Sequence, residues 1–189
     1  MTCIVGLEHE GAVYLGGDSA LSDADTGTLR VLREPKVFIN LGVAFGCCSD
    51  LRAQQLLQYV LNVPDRDVEQ LDDMEWLVTH LMGAVRALQK KKGTVKVSES
   101  VDTQEMQFLV GYRGHLYTVE ENFQVYRSVD AWASVGSGSD LAMGSMHSTA
   151  KVAGLSPEQR ITMALEAAEA YNGQVRRPFH IVKLEPEKE

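Results

Sequence analysis

Short runs of apolar and β-branched residues, separated by glycine, asparagine and charged residues, predict strands in two stretches of the chain. Each stretch holds four such runs, and one further run lies near the carboxyl end. The segment 8–11 and the pair Arg113-Gly114 are typical of hairpin turns, and the polar segment 22–27 predicts a loop. The predicted strands are 2–8, 12–17, 36–39, 43–45, 106–112, 115–120, 124–127, 131–135 and 179–184.

Apolar residues at spacings of three and four predict four helices, over 49–62, 67–92, 140–151 and 156–171. The second ends in three lysines and a glycine, which suits the carboxyl end of a helix. The fourth begins with Ser156-Pro157-Glu158-Gln159, a capping box with proline at the first helical position. The order is four strands, two helices, four strands, two helices and one strand. Such segregated runs predict an α+β fold rather than alternating βαβ units.

Composition and charge narrow the function classes. The 189 residues predict one domain over 1–189, and 44% apolar and 23% charged residues are ordinary for a globular chain. The net charge of −8 argues against nucleic acid and anionic membranes as partners. No signal peptide or membrane span is evident, and an odd count of three cysteines favours free thiols, so we expect a cytoplasmic protein.

Thr2 is the first candidate for chemistry. Methionine before a small residue is usually removed, and removal of Met1 would give Thr2 a free α-amine beside its hydroxyl. Such a residue carries nucleophile and base together, because an α-amine titrates near neutral pH. Threonine is also a good strand former, so Thr2 taken alone favours a structural role.

Asp18 and Lys36 are a possible pair of opposite charge at strand ends. Asp18 follows two glycines, and Lys36 begins an apolar strand after Pro35. An inward lysine is costly to bury unless it is paired, and Asp18 has the right sign. A cation beside an α-amine would lower the pKa of that amine and keep it basic. Taken singly, Asp18 is more typical of a turn and Lys36 of an exposed strand edge.

The remaining polar motifs are weaker. Gly136-Ser137-Gly138-Ser139 joins a strand to a helix and could hold an anion, although the nucleotide-binding patterns are absent. Cys47 and Cys48 follow a buried strand and favour packing over catalysis. The five histidines are scattered without metal-ligand spacing, so we expect neither a metal nor a cofactor.

In this order, the motifs resemble the proteasome β-subunit family and its bacterial relative, the HslV peptidase. The resemblance covers nearly the whole chain. It is carried by 2–6 (Thr-Cys-Ile-Val-Gly), 16–18 (Gly-Gly-Asp), 35–38 (Pro-Lys-Val-Phe), 45–50 (Phe-Gly-Cys-Cys-Ser-Asp), 135–139 (Val-Gly-Ser-Gly-Ser) and 169–173 (Glu-Ala-Tyr-Asn-Gly).

The resemblance implies a four-layer αββα sandwich of two antiparallel sheets flanked by helices, the fold of N-terminal-nucleophile (Ntn) hydrolases. It also implies a threonine-type endopeptidase in a self-compartmentalising homo-oligomeric ring. Its substrates would be peptides or unfolded proteins, and a separate ring ATPase would unfold them.

The resemblance also implies a role for each matching residue. Thr2 would be the nucleophile and its freed α-amine the base, while Lys36 would depress the pKa of that amine. Asp18 would hold Lys36, Gly46 would donate its N–H to the oxyanion, and Ser137 would orient the amine. Ala44 and Cys48 would lie near a small, apolar substrate pocket.

One pair departs from the family pattern of Asp-x-x-Ser-Gly, because this chain has Glu169 and Asn172 there. Both residues can still hydrogen bond near the threonine amine, and Asn172-Gly173 also suits a helix end. The departure, together with retention of Met1, would fit a catalytically silent ring subunit instead. A third reading is an amidohydrolase of the same fold using Cys3 or Thr2, although Thr2 precedes Cys3.

Overall fold

The computed structural model describes residues 2–23, 26–66, 71–98 and 101–186. Its strands are β1 Ile4–His9, β2 Ala12–Gly17, β3 Ala20–Ser22, β4 Leu29–Val31, β5 Val37–Asn40, β6 Val43–Cys47, β7 Val95–Ser98, β8 Val101–Gln104, β9 Phe108–Tyr112, β10 His115–Val119, β11 Val125–Tyr126, β12 Trp132–Val135 and β13 His180–Leu184. Its helices are α1 Leu51–Tyr59, α2 Asp73–Trp76, α3 Met82–Lys92, α4 Ser139–Thr149 and α5 Pro157–Tyr171, with a π-helical turn at Leu77–Leu81.

Two antiparallel sheets face each other. The first has the order β12-β1-β2-β13 and the second the order β11-β10-β9-β6-β5. The apolar layer between them includes Ile4, Leu15, Val37 and Leu109, all buried. Successive side chains of a strand point to opposite faces, which is why Ile4 faces the other sheet while its neighbour Val5 faces the helices.

Each sheet is covered on its outer face by helices. Val5 of the first sheet packs in one cluster with Ile161 and Leu165 of α5. Phe108 of the second sheet packs in another cluster with Leu77 of the π-helical turn and residues of α1 and α3. This confirms the predicted α+β fold, and the order helix, sheet, sheet, helix agrees with the four-layer sandwich that the resemblance implies.

The structure differs from the predicted elements in several places. Neither of two small hairpins, β3–β4 and β7–β8, was predicted. The predicted loop 22–27 overlaps the first hairpin at Ser22, and its residues 24 and 25 lie outside the described residues. The first helix ends at Tyr59, short of the predicted 62. The predicted helix start at 67 lies outside the described residues, and the described part begins at Asp73 with the π-helical turn inside it.

The strand ends that matter for the site meet at one edge of the sandwich. Thr2 precedes β1, Asp18 follows β2, and Lys36 precedes β5. Because β1 pairs with β2 in antiparallel register, with Ile4 opposite Gly17, the start of β1 lies beside the end of β2. Lys36 reaches the same edge from the second sheet.

Candidate active site

Lys36 joins the two predicted partners at this edge. Its Nζ donates hydrogen bonds to Thr2 Oγ1 at 2.7 Å, to Asp18 Oδ1 at 2.9 Å and to the Ala20 carbonyl oxygen at 2.6 Å. Three acceptors match the three N–H bonds of an ammonium group. In its charged form Lys36 uses all three N–H bonds here and donates one of them to the Thr2 hydroxyl, so the charged form is not the base for this hydroxyl.

Asp18 is held by backbone donors as well as by Lys36. Its Oδ1 accepts from the Cys3 N–H at 3.1 Å, and its Oδ2 accepts from the N–H groups of Ala20 at 2.9 Å and Arg176 at 3.2 Å. The Asp18 side chain is fully buried. The carboxylate is thus fixed by four donors, which offset the cost of burying its charge.

Burial dominates the electrostatics of the site. Lys36 is 4% exposed, and this desolvation lowers the pKa of its ammonium below the usual 10.5, while the Asp18 carboxylate acts in the opposite direction. Thr2 is 3% exposed. A charge in such surroundings interacts with a neighbouring hydroxyl or amine much more strongly than it would in water.

The turn 136–138 encloses the backbone of Thr2. Gly138 N donates to the Thr2 carbonyl oxygen at 3.3 Å, and Ser137 Oγ donates to the same oxygen at 3.5 Å. Gly136 has φ +98°, and a Cβ there would lie 2.2 Å from that oxygen. Only glycine fits this position. Ser137 therefore lies beside Thr2, and the contact of its hydroxyl is with the Thr2 carbonyl rather than with the amine of its predicted role.

Gly46 occupies a different position from the one its predicted role requires. It lies inside β6, and a Cβ there would be 2.5 Å from Ile4 Cγ2, so the glycine allows the two sheets to approach closely. Cys47 N donates to the Lys36 carbonyl on the β5 side, and Cys48 N donates to the Gln107 carbonyl on the β9 side. N–H groups along an antiparallel strand alternate between its two neighbours. The Gly46 N–H therefore faces Leu109 of β9.

The turn after β6 offers another amide. Ser49 has φ +75°, and Asp50 N donates to the Cys48 carbonyl at 3.1 Å, which makes a γ-turn of the rare, strained kind. Ser49 is exposed and lines the same cleft as Thr2. Within the described part of the chain, its N–H has no hydrogen-bond acceptor. This donor could not be predicted from the sequence, because serine rarely adopts a positive φ and nothing in the local pattern marks the turn.

A narrow cleft opens beside Thr2 and Lys36. Its free volume is about 20 Å³, enough for roughly one water molecule. Cys48 lines this cleft, whereas Ala44 lies fully buried in the layer between the sheets and is not part of the lining. The residues that line it are Thr2, Ala20, Leu21, Leu32, Lys36, Cys47, Cys48, Ser49, Asp50, Leu51 and Gln54.

The three thiols are buried and free. Burial raises the pKa of Cys3 to about 12 and also raises the pKa values of Cys47 and Cys48. Since the thiolate is the nucleophilic form, none of these cysteines is activated for attack. This argues against the reading in which Cys3 carries the reaction.

Glu169 and Asn172 hold the loop after α5. Glu169 accepts hydrogen bonds from Arg177, and the Asn172 side chain donates to the Ser137 carbonyl at 2.7 Å. Asn172 thus contacts the candidate site through the backbone of Ser137. The bonds described for Glu169 go to Arg177, a partner that was not predicted.

Residues 2–23, 26–66, 71–98 and 101–186 contain neither a candidate metal site nor a candidate membrane span. In these ranges no group of three or more His, Cys, Asp or Glu residues could hold a metal ion. No helix in the same ranges is long and apolar enough to cross a membrane.

Comparison of sequences finds no protein-family model and no curated protein that matches the chain. Comparison of structures does. BPH of Thiobacillus denitrificans, solved in complex with epoxomicin, matches with a TM-score of 0.78 and 15% identity over 98% of this chain and 100% of that chain.

Two other solved structures are also similar. HslV of Trypanosoma brucei gives a TM-score of 0.71 and 18% identity over 97% of this chain and 99% of that one. Anbu (ancestral beta-subunit) of Yersinia bercovieri gives a TM-score of 0.62 and 13% identity over 96% of this chain and 81% of that one. The chain therefore has the fold of HslV-like and Anbu proteins, the proteasome-type Ntn-hydrolase fold that its sequence resembles.

Proposed function

We propose that the protein is a threonine-type endopeptidase subunit that uses Thr2 as its nucleophile after removal of Met1. The observation that carries the proposal is the buried contact of Lys36 Nζ with Thr2 Oγ1 at 2.7 Å and with Asp18 Oδ1 at 2.9 Å. Met1 itself lies outside the described residues. A hydroxyl beside a buried ammonium is easier to deprotonate, because the cation stabilises the developing negative charge.

The proposed reaction begins with proton transfer from Thr2 Oγ to the freed α-amine of the same residue, directly or through one water. The oxygen attacks the carbonyl carbon of a peptide bond and forms a tetrahedral intermediate. When the intermediate collapses, the C–N bond breaks, the leaving amine takes the proton, and an ester to Thr2 remains. Water then hydrolyses the ester and restores the threonine.

Backbone amides would stabilise the oxyanion of the intermediate. Gly46 was predicted to donate, but its N–H faces β9, so we assign this role to the Ser49 N–H at the cleft. One such donor typically contributes about 2.7–4 kcal/mol to lowering the barrier. The strained turn at Ser49 fits this assignment, because strain of this kind clusters at active sites.

The cleft favours a small, uncharged side chain next to the scissile bond. Its free volume is about 20 Å³, and Leu21, Leu32 and Cys48 make much of its wall apolar. A peptide series that varies this one residue would test the preference. We expect faster cleavage after alanine than after phenylalanine or arginine, and the reverse order would contradict this view of the cleft.

The proposal extends to assembly. The fold shared with HslV supports a homo-oligomeric ring that cleaves peptides or unfolded proteins, and a separate ring ATPase would supply unfolding. Light scattering on the purified protein tests this part. A ring gives a mass several times that of the 20.8 kDa chain, whereas a monomer would contradict the compartment.

Peptide hydrolysis by the Met1-free protein tests the nucleophile. Thr2→Ala should abolish turnover, and Thr2→Ser should retain part of it, since it keeps a hydroxyl. Thr79→Ala is a matched control, because Thr79 is exposed on the π-helical turn. Equal turnover by wild type and Thr2→Ala would refute the proposal.

The alternative is a catalytically silent ring subunit. It is favoured by one observation, that Glu169 bonds to Arg177 whereas the family pattern has an aspartate at this position. Intact mass distinguishes the two cases: a chain that keeps Met1 in its assembled form supports the silent subunit, and a chain that starts at Thr2 supports the enzyme.

A further inference from the structure

The loop 172–178, which follows α5, contacts two parts of the candidate site. Arg176 N donates to Asp18 Oδ2 at 3.2 Å, and Ser19 N donates to the Arg176 carbonyl at 2.8 Å. Asn172 reaches the carbonyl of Ser137 from the other end of the loop. The position of this loop therefore determines one of the four donors that fix the Asp18 carboxylate.

Glu169 and Arg177 hold this loop to α5. Arg177 N donates to Glu169 Oε1 at 2.9 Å, Arg177 Nε donates to Oε2 at 2.8 Å, and one Nη lies 2.7 Å from Oε2. A carboxylate that receives a backbone N–H and a guanidinium at once is held in position and orientation. The guanidinium also lies over the Phe179 ring, 5.3 Å from its centroid.

We propose that Glu169 and Arg177 form a clamp that positions Asp18, and through Asp18 the Lys36 ammonium, for the reaction at Thr2. The inference rests on the proposed function and adds two positioning residues to it. Arg176, the neighbour of Arg177, carries the backbone N–H that links the clamp to Asp18. Neither clamp residue needs to touch the substrate.

The length of the glutamate side chain is part of the clamp. Glu169 reaches across the turn to both the backbone N–H and the side chain of Arg177. An aspartate is one methylene shorter and would give up one of these contacts. If Glu169 instead acted as a simple acidic group, as the aspartate of the family pattern suggests, Glu169→Asp would preserve activity. The clamp predicts the opposite.

The charges agree with a clamp that is closed at neutral pH. Hydrogen bonding from Arg177 lowers the pKa of the Glu169 carboxyl below its usual 4.5. The ionised Glu169 carboxylate therefore stabilises the folded protein above about pH 4.5. This stabilisation is lost as the pH falls through the lowered pKa of the folded state. The titratable groups that face Lys36 are Asp18, Cys3 and Cys48, so loosening Asp18 would lower the pKa of Lys36 further.

The test compares Glu169→Gln, Glu169→Asp and Arg177→Met with Glu166→Gln. Glu166 is the matched control, since it lies on the same helix, 3.7 Å from Arg177, and is half exposed. We expect kcat to fall roughly tenfold in each clamp variant with KM nearly unchanged, and the double variant of Glu169→Gln and Arg177→Met to be no worse than either alone. The pH profile of kcat/KM should also move in the clamp variants. Wild-type kcat in Glu169→Asp, or additive losses in the double variant, would overturn the proposal.

Hydrogen exchange of the Arg176 and Cys3 amides gives a readout that does not need activity. Both amides donate to Asp18. We expect them to exchange faster in Glu169→Gln than in Glu166→Gln at equal global stability, and unchanged exchange would refute the clamp. If wild type cleaves no peptide, the proposed function fails, while this measurement still decides whether the clamp holds Asp18.

Discussion

Removal of the Asp18 charge is the perturbation that tests the site most severely. In Asp18→Asn the Lys36 ammonium keeps two neutral acceptors, the Thr2 hydroxyl and the Ala20 carbonyl, and loses its counter-ion. Asp18 is fully buried and Lys36 is 4% exposed, so solvent does not compensate. Breaking a buried ion pair by removing one partner costs about 3–5 kcal/mol. The new amide N–H₂ would also face backbone N–H donors, which adds to the cost.

Removal of Lys36 should cost less than removal of Asp18. In Lys36→Met the Asp18 carboxylate keeps its three backbone donors, from Cys3, Ala20 and Arg176. Methionine is unbranched and flexible, so it can occupy the space of the lysine stem. The double variant Asp18→Asn/Lys36→Met carries no buried unpaired ammonium. Its loss should be smaller than the sum of the single losses by about 1–3 kcal/mol.

Urea denaturation at constant pH measures these values for wild type, the two single variants and the double variant. We expect Asp18→Asn to have the lowest free energy of unfolding among these proteins. A cost below about 1 kcal/mol for Asp18→Asn, or strict additivity in the double variant, would refute the argument, because the pair would then contribute no more than an exposed ion pair.

The pH dependence of the Lys36 contribution has a definite sign. Burial lowers the pKa of Lys36 in the folded protein below 10.5. Between the two values the unfolded chain binds this proton and the folded chain releases it, so stability rises with pH across that window. The free energy of unfolding of wild type minus that of Lys36→Met should therefore increase as the pH approaches 10.5. A flat or falling difference would contradict the lowered pKa.

Three further predictions concern the surroundings of the site. Gly136→Ala should lower the free energy of unfolding, measured by urea denaturation, far more than Gly42→Ala does. Both glycines have a positive φ, but only at Gly136 would the added methyl group meet the Thr2 carbonyl. Equal losses would show that the contact with Thr2 does not matter. The Cys3 thiol, with its pKa raised to about 12, should resist iodoacetamide at pH 8 until the protein unfolds, and rapid native labelling by peptide mapping would contradict its burial. Leu165→Ala should cost about 2–5 kcal/mol in thermal or urea unfolding, since Leu165 is fully buried between α5 and the first sheet, and a loss under 1 kcal/mol would contradict that packing.

Much of the fold could be predicted because its signals are local. The capping box at Ser156 is present with both of its hydrogen bonds, and the lysine-rich end of α3 stops at Gly93 with a positive φ, as expected. The hairpin β3–β4 was missed because its strands are three residues long and partly exposed, so they show no clear alternation. The π-helical turn depends on packing in the core and leaves no local signal.

The candidate site likewise has some features that the sequence predicts and others that depend on tertiary structure. The approach of Lys36 to Asp18 could be predicted from the sequence, because a buried lysine needs a partner of opposite charge. The direction of the Gly46 N–H depends on the parity of strand register, which a shift of one residue reverses. The pairing of Glu169 with Arg177 depends on the path of a loop. Such features emerge only from tertiary structure.

If Thr2 carries both nucleophile and base, it should react with a peptide epoxyketone. A peptide epoxyketone holds two electrophiles side by side, so a residue with a hydroxyl and a free α-amine can react with both. Intact mass and peptide mapping after incubation would locate the adduct. The proposal predicts one adduct per chain, on Thr2 of a chain that lacks Met1, and none in Thr2→Ala. An unmodified chain, an adduct on another residue, or an adduct that persists in Thr2→Ala would contradict it.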